Sequence, residues 1–137
     1  MEWKGRDIMI QKFVELGEGY GDVYELCELI QTNKDRFHEA FIFTSTKNDK
    51  KFCSLAVALK PVGESKFMPI YICREGIPIK EDKKAQRVQI FEEAINALEK
   101  VPNTLEIKHS TAFADSALFY QYLIGILRMN RYIPPMS

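Results

Sequence analysis

Two β-rich runs, Ala40 to Thr46 and Phe52 to Leu59, enclose the polar stretch Lys47-Asn48-Asp49-Lys50-Lys51. Aromatic and β-branched residues on both sides of a short Asn-Asp turn are the signature of a β-hairpin. That hairpin commits the middle of the chain to a sheet, and everything else has to pack around it. Lys60-Pro61-Val62-Gly63 then breaks the chain, and Phe67 to Cys73 reads as a third strand. Pro69 inside that run has no N–H to give to a ladder, so an edge strand or a bulge is expected there.

The flanking segments are helical or short. Met9 to Leu16 reads as a strand that Gly17 stops. Val23, Leu26, Cys27 and Ile30 recur at i, i+3, i+4 and i+7, the stripe of an amphipathic helix ending near Thr32-Asn33. Asp22 is placed to cap it, with Glu25 completing a capping box. Lys83 to Lys100 is a second helix, turning Val88, Phe91, Ile95 and Leu98 inward. Thr104 to Lys108 is a short alternating strand. A last helix starts at Asp115 or Ser116, and Pro134-Pro135 forbids its continuation. The order β-α-β-β-β-α-β-α predicts an α/β (α+β) fold with a mixed, largely antiparallel sheet of about five strands and three helices. Residues 9–137 are expected to form a single domain and residues 1–8 an N-terminal extension, with Met9 as a natural start.

The 137 residues suffice for a substantial core without metals or disulfides. Lys plus Arg equals Asp plus Glu, 19 against 19, so no basic excess draws the chain toward nucleic acid or anionic lipid. Cys27, Cys53 and Cys73 are far apart, each within an apolar stretch, as in a protein of a reducing compartment. With two histidines and no Cys-x-x-Cys pair, no metal site is expected. Met1 to Asp7 lacks the apolar core of a signal peptide, and the longest apolar run, Ala117 to Met129, is interrupted by Gln121, Gly125 and Arg128. A cytoplasmic location, away from membranes, is the expectation.

The local pattern that most resembles a site is Gly17-Glu18-Gly19-Tyr20-Gly21-Asp22, between a strand and a helix. Such turns bind phosphate through free N–H groups and the helix dipole. The spacing is not that of a dinucleotide fingerprint, and Glu18 and Asp22 put negative charge where an anion would sit. Arg74-Glu75-Gly76 ends the third strand of the central block and is placed for a pocket mouth; Arg74 there would offset the acidity of Glu18. The candidate ligand-binding residues are therefore Gly17, Gly19, Tyr20, Gly21, Arg74 and Glu75. No catalytic set stands out. The αβββαβ order from Asp22 to Lys108 is that of metal-dependent nuclease cores, but the strand Phe52 to Leu59 carries no carboxylate to hold a metal. His109 with Ser110 and Thr111 lacks a third orienting group at any recognisable spacing. His38 lies in a polar connection and is expected to be solvated. No cofactor is implied.

Leu118, Phe119, Tyr122, Leu123, Ile124, Ile126, Leu127 and Met129 cover most of the circumference of the last helix. A helix apolar all round has to be buried on all sides. In so small a domain, either its own sheet and second helix wrap it, or a second subunit completes one face.

Gly17-Glu18-Gly19-Tyr20 with Asp22 and Tyr24-Glu25-Leu26, the segment Tyr71 to Gly76, the run Tyr120 to Asn130 and Tyr132-Ile133-Pro134-Pro135 resemble a small family of Bacillus-type bacteria that is a domain of unknown function. The resemblance covers Met9 to the end and brings no activity with it. Sequences of this kind have carried a methylthioribose kinase label, yet this chain has neither the nucleotide loop nor the length for two kinase lobes. The expectation is a non-enzymatic protein acting through protein contacts, as a homodimer through the C-terminal helix region. The alternative is a binder of a phosphate- or nucleotide-type small molecule.

Overall fold

The computed structural model describes residues 10–17 and 21–134. Among the described residues, nine strands and α-helices follow one another: β1 (Ile10–Glu15), α1 (Gly21–Thr32), β2 (Phe37–Lys47), β3 (Lys50–Leu59), β4 (Phe67–Ile72), β5 (Ile77–Pro78), α2 (Gln86–Asn96), β6 (Asn103–Glu106) and α3 (Ser116–Met129). This is the α+β architecture expected, with one further strand, the two-residue β5.

The β2–β3 hairpin forms as its turn residues dictate. Asn48 and Asp49 have φ of 52° and 64°, the left-handed pair of a type I′ turn whose twist matches that of the strands it joins. Lys47 pairs with Lys50, and the ladder runs to Phe37↔Leu59 with one irregularity near Glu39. The sheet order is β1-β4-β3-β2-β6, with β5 also pairing β3. All three antiparallel ladders involve β3; β1–β4 and β2–β6 are parallel. Among the described strands, β3 thus runs against all the others, whose C-terminal ends share one edge of the sheet.

β4 is an interior strand, between β1 and β3, which corrects the edge or bulge expected at Pro69. The proline is accommodated because the β3 ladder reaches only from Ile72 to Ile70. Pro69 pairs with Lys12 of β1 alone.

Period-two alternation sorts the sheet into two faces. Leu55, Val57 and Leu59 meet Val23, Leu26 and Ile30 of α1 and Val88, Phe91 and Ile95 of α2. Ala56 and Ala58, on the other face of β3, join Phe13, Phe41, Phe43 and Ile70 against Phe119, Leu123 and Leu127 of α3. The small alanines leave room for stacked rings, Phe41 on Phe43 at 5.7 Å and Phe13 on Tyr120 at 4.9 Å. The result is a three-layer α/β/α body with α3 by itself on its face.

Three local expectations are corrected. Asp22 lies inside the first turn of α1, and instead of capping it the carboxylate accepts from Arg87 Nη2 at 2.8 Å. α2 is shorter than Lys83–Lys100. Lys80 and Lys83 form a β-bridge before it, and a run of turns with Glu99 at φ 61° ends it. The third concerns α3, which Asp115 caps by accepting from the Leu118 N–H at 2.9 Å. Within this single chain the helix is not buried on all sides, so of its two expectations the one corrected is wrapping by its own sheet and second helix. Phe119, Leu123 and Leu127 are buried, but Leu118 and Met129 are 45% and 85% exposed, because a lone helix on a sheet presents only one stripe to it. No helix of the described residues is long and apolar enough to cross a membrane.

Candidate functional site

The break between β4 and β5 makes the site. Ile72 pairs with Ala56 and Ile77 with Cys53, so the four residues Cys73 to Gly76 stand opposite only Ser54 and Leu55. The chain must leave the ladder, and Cys73 anchors the departure: its N–H donates to Leu55 O at 3.0 Å while its sulfur accepts from the Leu55 N–H at 3.1 Å. Gly76, at φ 132°, brings the chain back; side-chain-bearing residues rarely adopt that conformation. Arg74 and Glu75 are the two residues thrown outward.

They project into a cleft of ≈ 470 Å³. Glu15 at the end of β1, Lys47 at the end of β2, His109 and Ser110 after β6, and Ser116, Phe119 and Tyr120 of α3 also line it, over Phe52 and Ile72. The cleft therefore lies at the shared C-terminal edge of the co-directional strands, the usual place for ligands in sheets of this kind.

Arg74 and Glu75 bind different partners. Arg74 Nε lies 3.4 Å from Glu15 Oε2, with both side chains substantially exposed. Glu75 is 13% exposed and reaches across to the β6–α3 connection. Its oxygens accept from the Ser110 N–H at 3.3 and 3.2 Å and from Ser45 Oγ at 3.4 Å. His109 Nε2 lies 3.6 Å from Glu75 Oε1. On the other side of the ring, Nδ1 accepts from the Thr111 N–H at 3.2 Å and lies 3.1 Å from Thr111 Oγ1. The backbone donor assigns the neutral ring proton to Nε2, facing the carboxylate. His109 thus does have an orienting partner, Glu75, which no local spacing announced. Nδ1 is engaged by Thr111, while Nε2 lies just beyond hydrogen-bond distance of Glu75.

Tyr120 is hydrogen-bonded to Glu15, and its hydroxyl is pushed well above the usual phenol range by burial first and by the Glu15 charge second. It stays a neutral donor beside the carboxylate.

Of the residues singled out in the sequence, Arg74 and Glu75 meet in the cleft. Gly19 and Tyr20, with Glu18, lie outside the described residues. Gly21 is the first residue of α1. A Cβ on Gly17 would come 3.1 Å from Glu25 Oε1, so this glycine permits a close approach of the chain to α1. Neither Gly17 nor Gly21 is among the residues lining the cleft. Arg74 has Glu15 as its ion-pair partner. His38, expected to be solvated, is half-buried, with Nε2 2.7 Å from Tyr132 O. Glu15, Lys47 and Tyr120 were missed; strand alternation puts Glu15 on the face of Phe13, which was the available signal.

Together the fold and the cleft define a three-layer α+β body with an open cleft of mixed polar and aromatic lining at one sheet edge. The profile of a family described as a domain of unknown function (DUF7147) matches residues 9–133, and the chain belongs to that family. No curated protein and no solved structure gave a match to it.

Proposed function

We propose that the protein is a small-molecule-binding domain, without catalysis of its own, that takes its ligand in the cleft between the β4–β5 break and the start of α3. The observation that carries this reading is the four-residue excursion against two residues of β3, which spends ladder hydrogen bonds to hold Arg74 and Glu75 over a concave surface. Strand breaks of this kind aim side chains at sites. A polar group count too rich for a core, set over Phe52, Phe119 and Tyr120, is the make-up of a ligand pocket. The engagement of His109 Nδ1 by the Thr111 N–H supports binding over turnover. The three cysteines are free thiols, two of them buried, which supports a cytoplasmic home.

The test is a thermal-shift screen of small anionic, neutral and cationic compounds, because a ligand bound to the folded state raises the melting temperature. Binding is expected to disappear in Ser116→Trp, which fills the cleft from the exposed start of α3. A library that produces no shift, or shifts that survive the filled cleft, refutes the reading.

A second reading, a homodimer through α3, is favoured by the exposed Leu118 and Met129 on the outer side of that helix. Light scattering at tens of micromolar decides it: a dimer that Met129→Glu dissociates supports it, and a strict monomer removes it.

A further inference from the structure

We propose a second binding site, at the opposite end of α3 from the cleft, that takes a small phosphate-type oxyanion between His38, Arg128 and Arg131. These three side chains, with Ile133 and Pro134, line a recess of ≈ 560 Å³. No carboxylate is among its described lining residues, whereas the cleft carries Glu15 and Glu75. The whole chain balances 19 basic against 19 acidic residues, so this is a local gathering of positive charge and not a share of a general excess.

The fold aims these donors. The β2–β3 ladder skips from Phe37↔Leu59 to Glu39↔Ala58, which makes His38 the extra residue of a bulge, a feature that re-aims side chains. Its Nε2 lies 2.7 Å from Tyr132 O. A carbonyl only accepts, so Nε2 carries the proton and Nδ1 is left for a ligand. Glu39, beside it in sequence, is engaged by Asn103 Nδ2 at 2.7 Å. Gln11, only 7% exposed, accepts from Arg128 Nε at 2.7 Å and donates to Pro134 O at 2.7 Å. That bond fixes the guanidinium by one edge and leaves both Nη groups without a partner among the described residues. Arg131 has no side-chain partner among them either.

Arg131 stands where a helix end favours glycine. Its N–H donates to Arg128 O at 3.0 Å, and the Tyr132 N–H donates to Leu127 O at 2.9 Å, the two bonds that close a helix around a left-handed residue. Arg131 is that residue, at φ 61°, a conformation glycine adopts freely and an arginine does not. The arginines are not needed to satisfy the helix end: Ile126 O, Leu127 O and Arg128 O accept from the N–H groups of Asn130, Tyr132 and Arg131. Strain kept at a charged residue beside an open recess is what a ligand clamp shows. Two guanidinium forks and an imidazole suit an anion of several oxygens and more than one charge, a phosphate group before a carboxylate.

Inorganic phosphate and acetate are the probes, titrated against the full chain by calorimetry at low salt. Phosphate is expected to bind, and more tightly than acetate. Arg131→Gly is expected to weaken phosphate about tenfold, the worth of one charge-assisted contact, while the melting temperature holds or rises because the strain is released. Arg131→Asn, which also tolerates left-handed backbone, is expected to behave alike. Ser116→Trp, which fills the cleft, is expected to leave phosphate binding intact. No phosphate binding, acetate bound equally well, or an affinity unchanged in both Arg131 variants overturns the proposal. So does a lowered melting temperature in both, which would show the arginine kept for stability. Phosphate binding lost in Ser116→Trp places the anion in the cleft and overturns the second site while leaving the cleft reading standing.

Discussion

Replacing Gly76 with alanine isolates the conformational demand of the strand break from every packing effect. A Cβ at this position would meet nothing within 4 Å, so no neighbour has to move. The whole cost is backbone: at φ 132° an L-residue is strained by about 1–3 kcal/mol. Alanine also restricts the unfolded chain, which returns roughly 0.4–1 kcal/mol. The net loss is then about 1–2 kcal/mol, or a fall in melting temperature of roughly 5 °C for a domain of this size. Gly21 is the control. It too has open space around a built Cβ and no positive φ, and it begins a helix. Gly21→Ala is therefore expected to leave stability unchanged or raise it by up to about 1 kcal/mol. Gly63, at φ 53° with open space, falls between them, since the left-handed region costs an L-residue about 1–2 kcal/mol before the same unfolded-state gain. Urea denaturation of the three variants gives the order directly. A Gly76→Ala protein as stable as the parent, or a Gly21→Ala protein destabilised as much, refutes the claim that the excursion depends on a conformation open to glycine.

Three further outcomes are expected. Asp22→Ala takes from Arg87 a carboxylate that is 2% exposed; with the Arg87 side chain one-fifth exposed, the loss is about 2–4 kcal/mol, and an Asp22→Ala/Arg87→Met double variant should recover part of it in a denaturation cycle. Burial pushes the Cys53 and Cys73 thiols up to about 11 and about 12. Each folded-state value is raised above the unfolded one, so the stability is complete below about pH 9 and is lost as pH rises toward 11–12; each thiol contributes a slope of about 1.4 kcal/mol per pH unit, and a flat stability profile between pH 9 and 11 would contradict this. Asp115→Ala removes the α3 cap and should cost about 1 kcal/mol in the same denaturation assay, with an equal loss in Asp115→Asn arguing against capping as the cause.

Local chemistry made parts of this fold readable. Asn48-Asp49 marks the hairpin because those two residues tolerate left-handed backbone, and the register of both strands follows from it. Asp115 marks the start of α3 for an equally local reason, a short carboxylate facing free N–H groups. Where the outcome depended on a distant partner, reading failed. Asp22 looks like a cap until Arg87, brought in by α2, claims its carboxylate. Pro69 looks like an edge residue until β1 docks alongside β4 while the β3 ladder stops one residue short of the proline. In the site, Arg74 and Glu75 were visible as a polar pair closing an apolar strand, but their partners were not. Glu15, Ser45 and His109 come from three separate segments.

Hydrophobic periodicity and turn chemistry act within a few residues, and they were enough to establish every strand and α-helix but β5, and the α+β class. Strand order, the lone placement of α3 and the gathering of Arg74, Glu75 and His109 in one cleft arose in the folded body. Each depends on which surfaces are buried together, and on a mismatch of four residues against two that exists only once β3 has both β4 and β5 beside it.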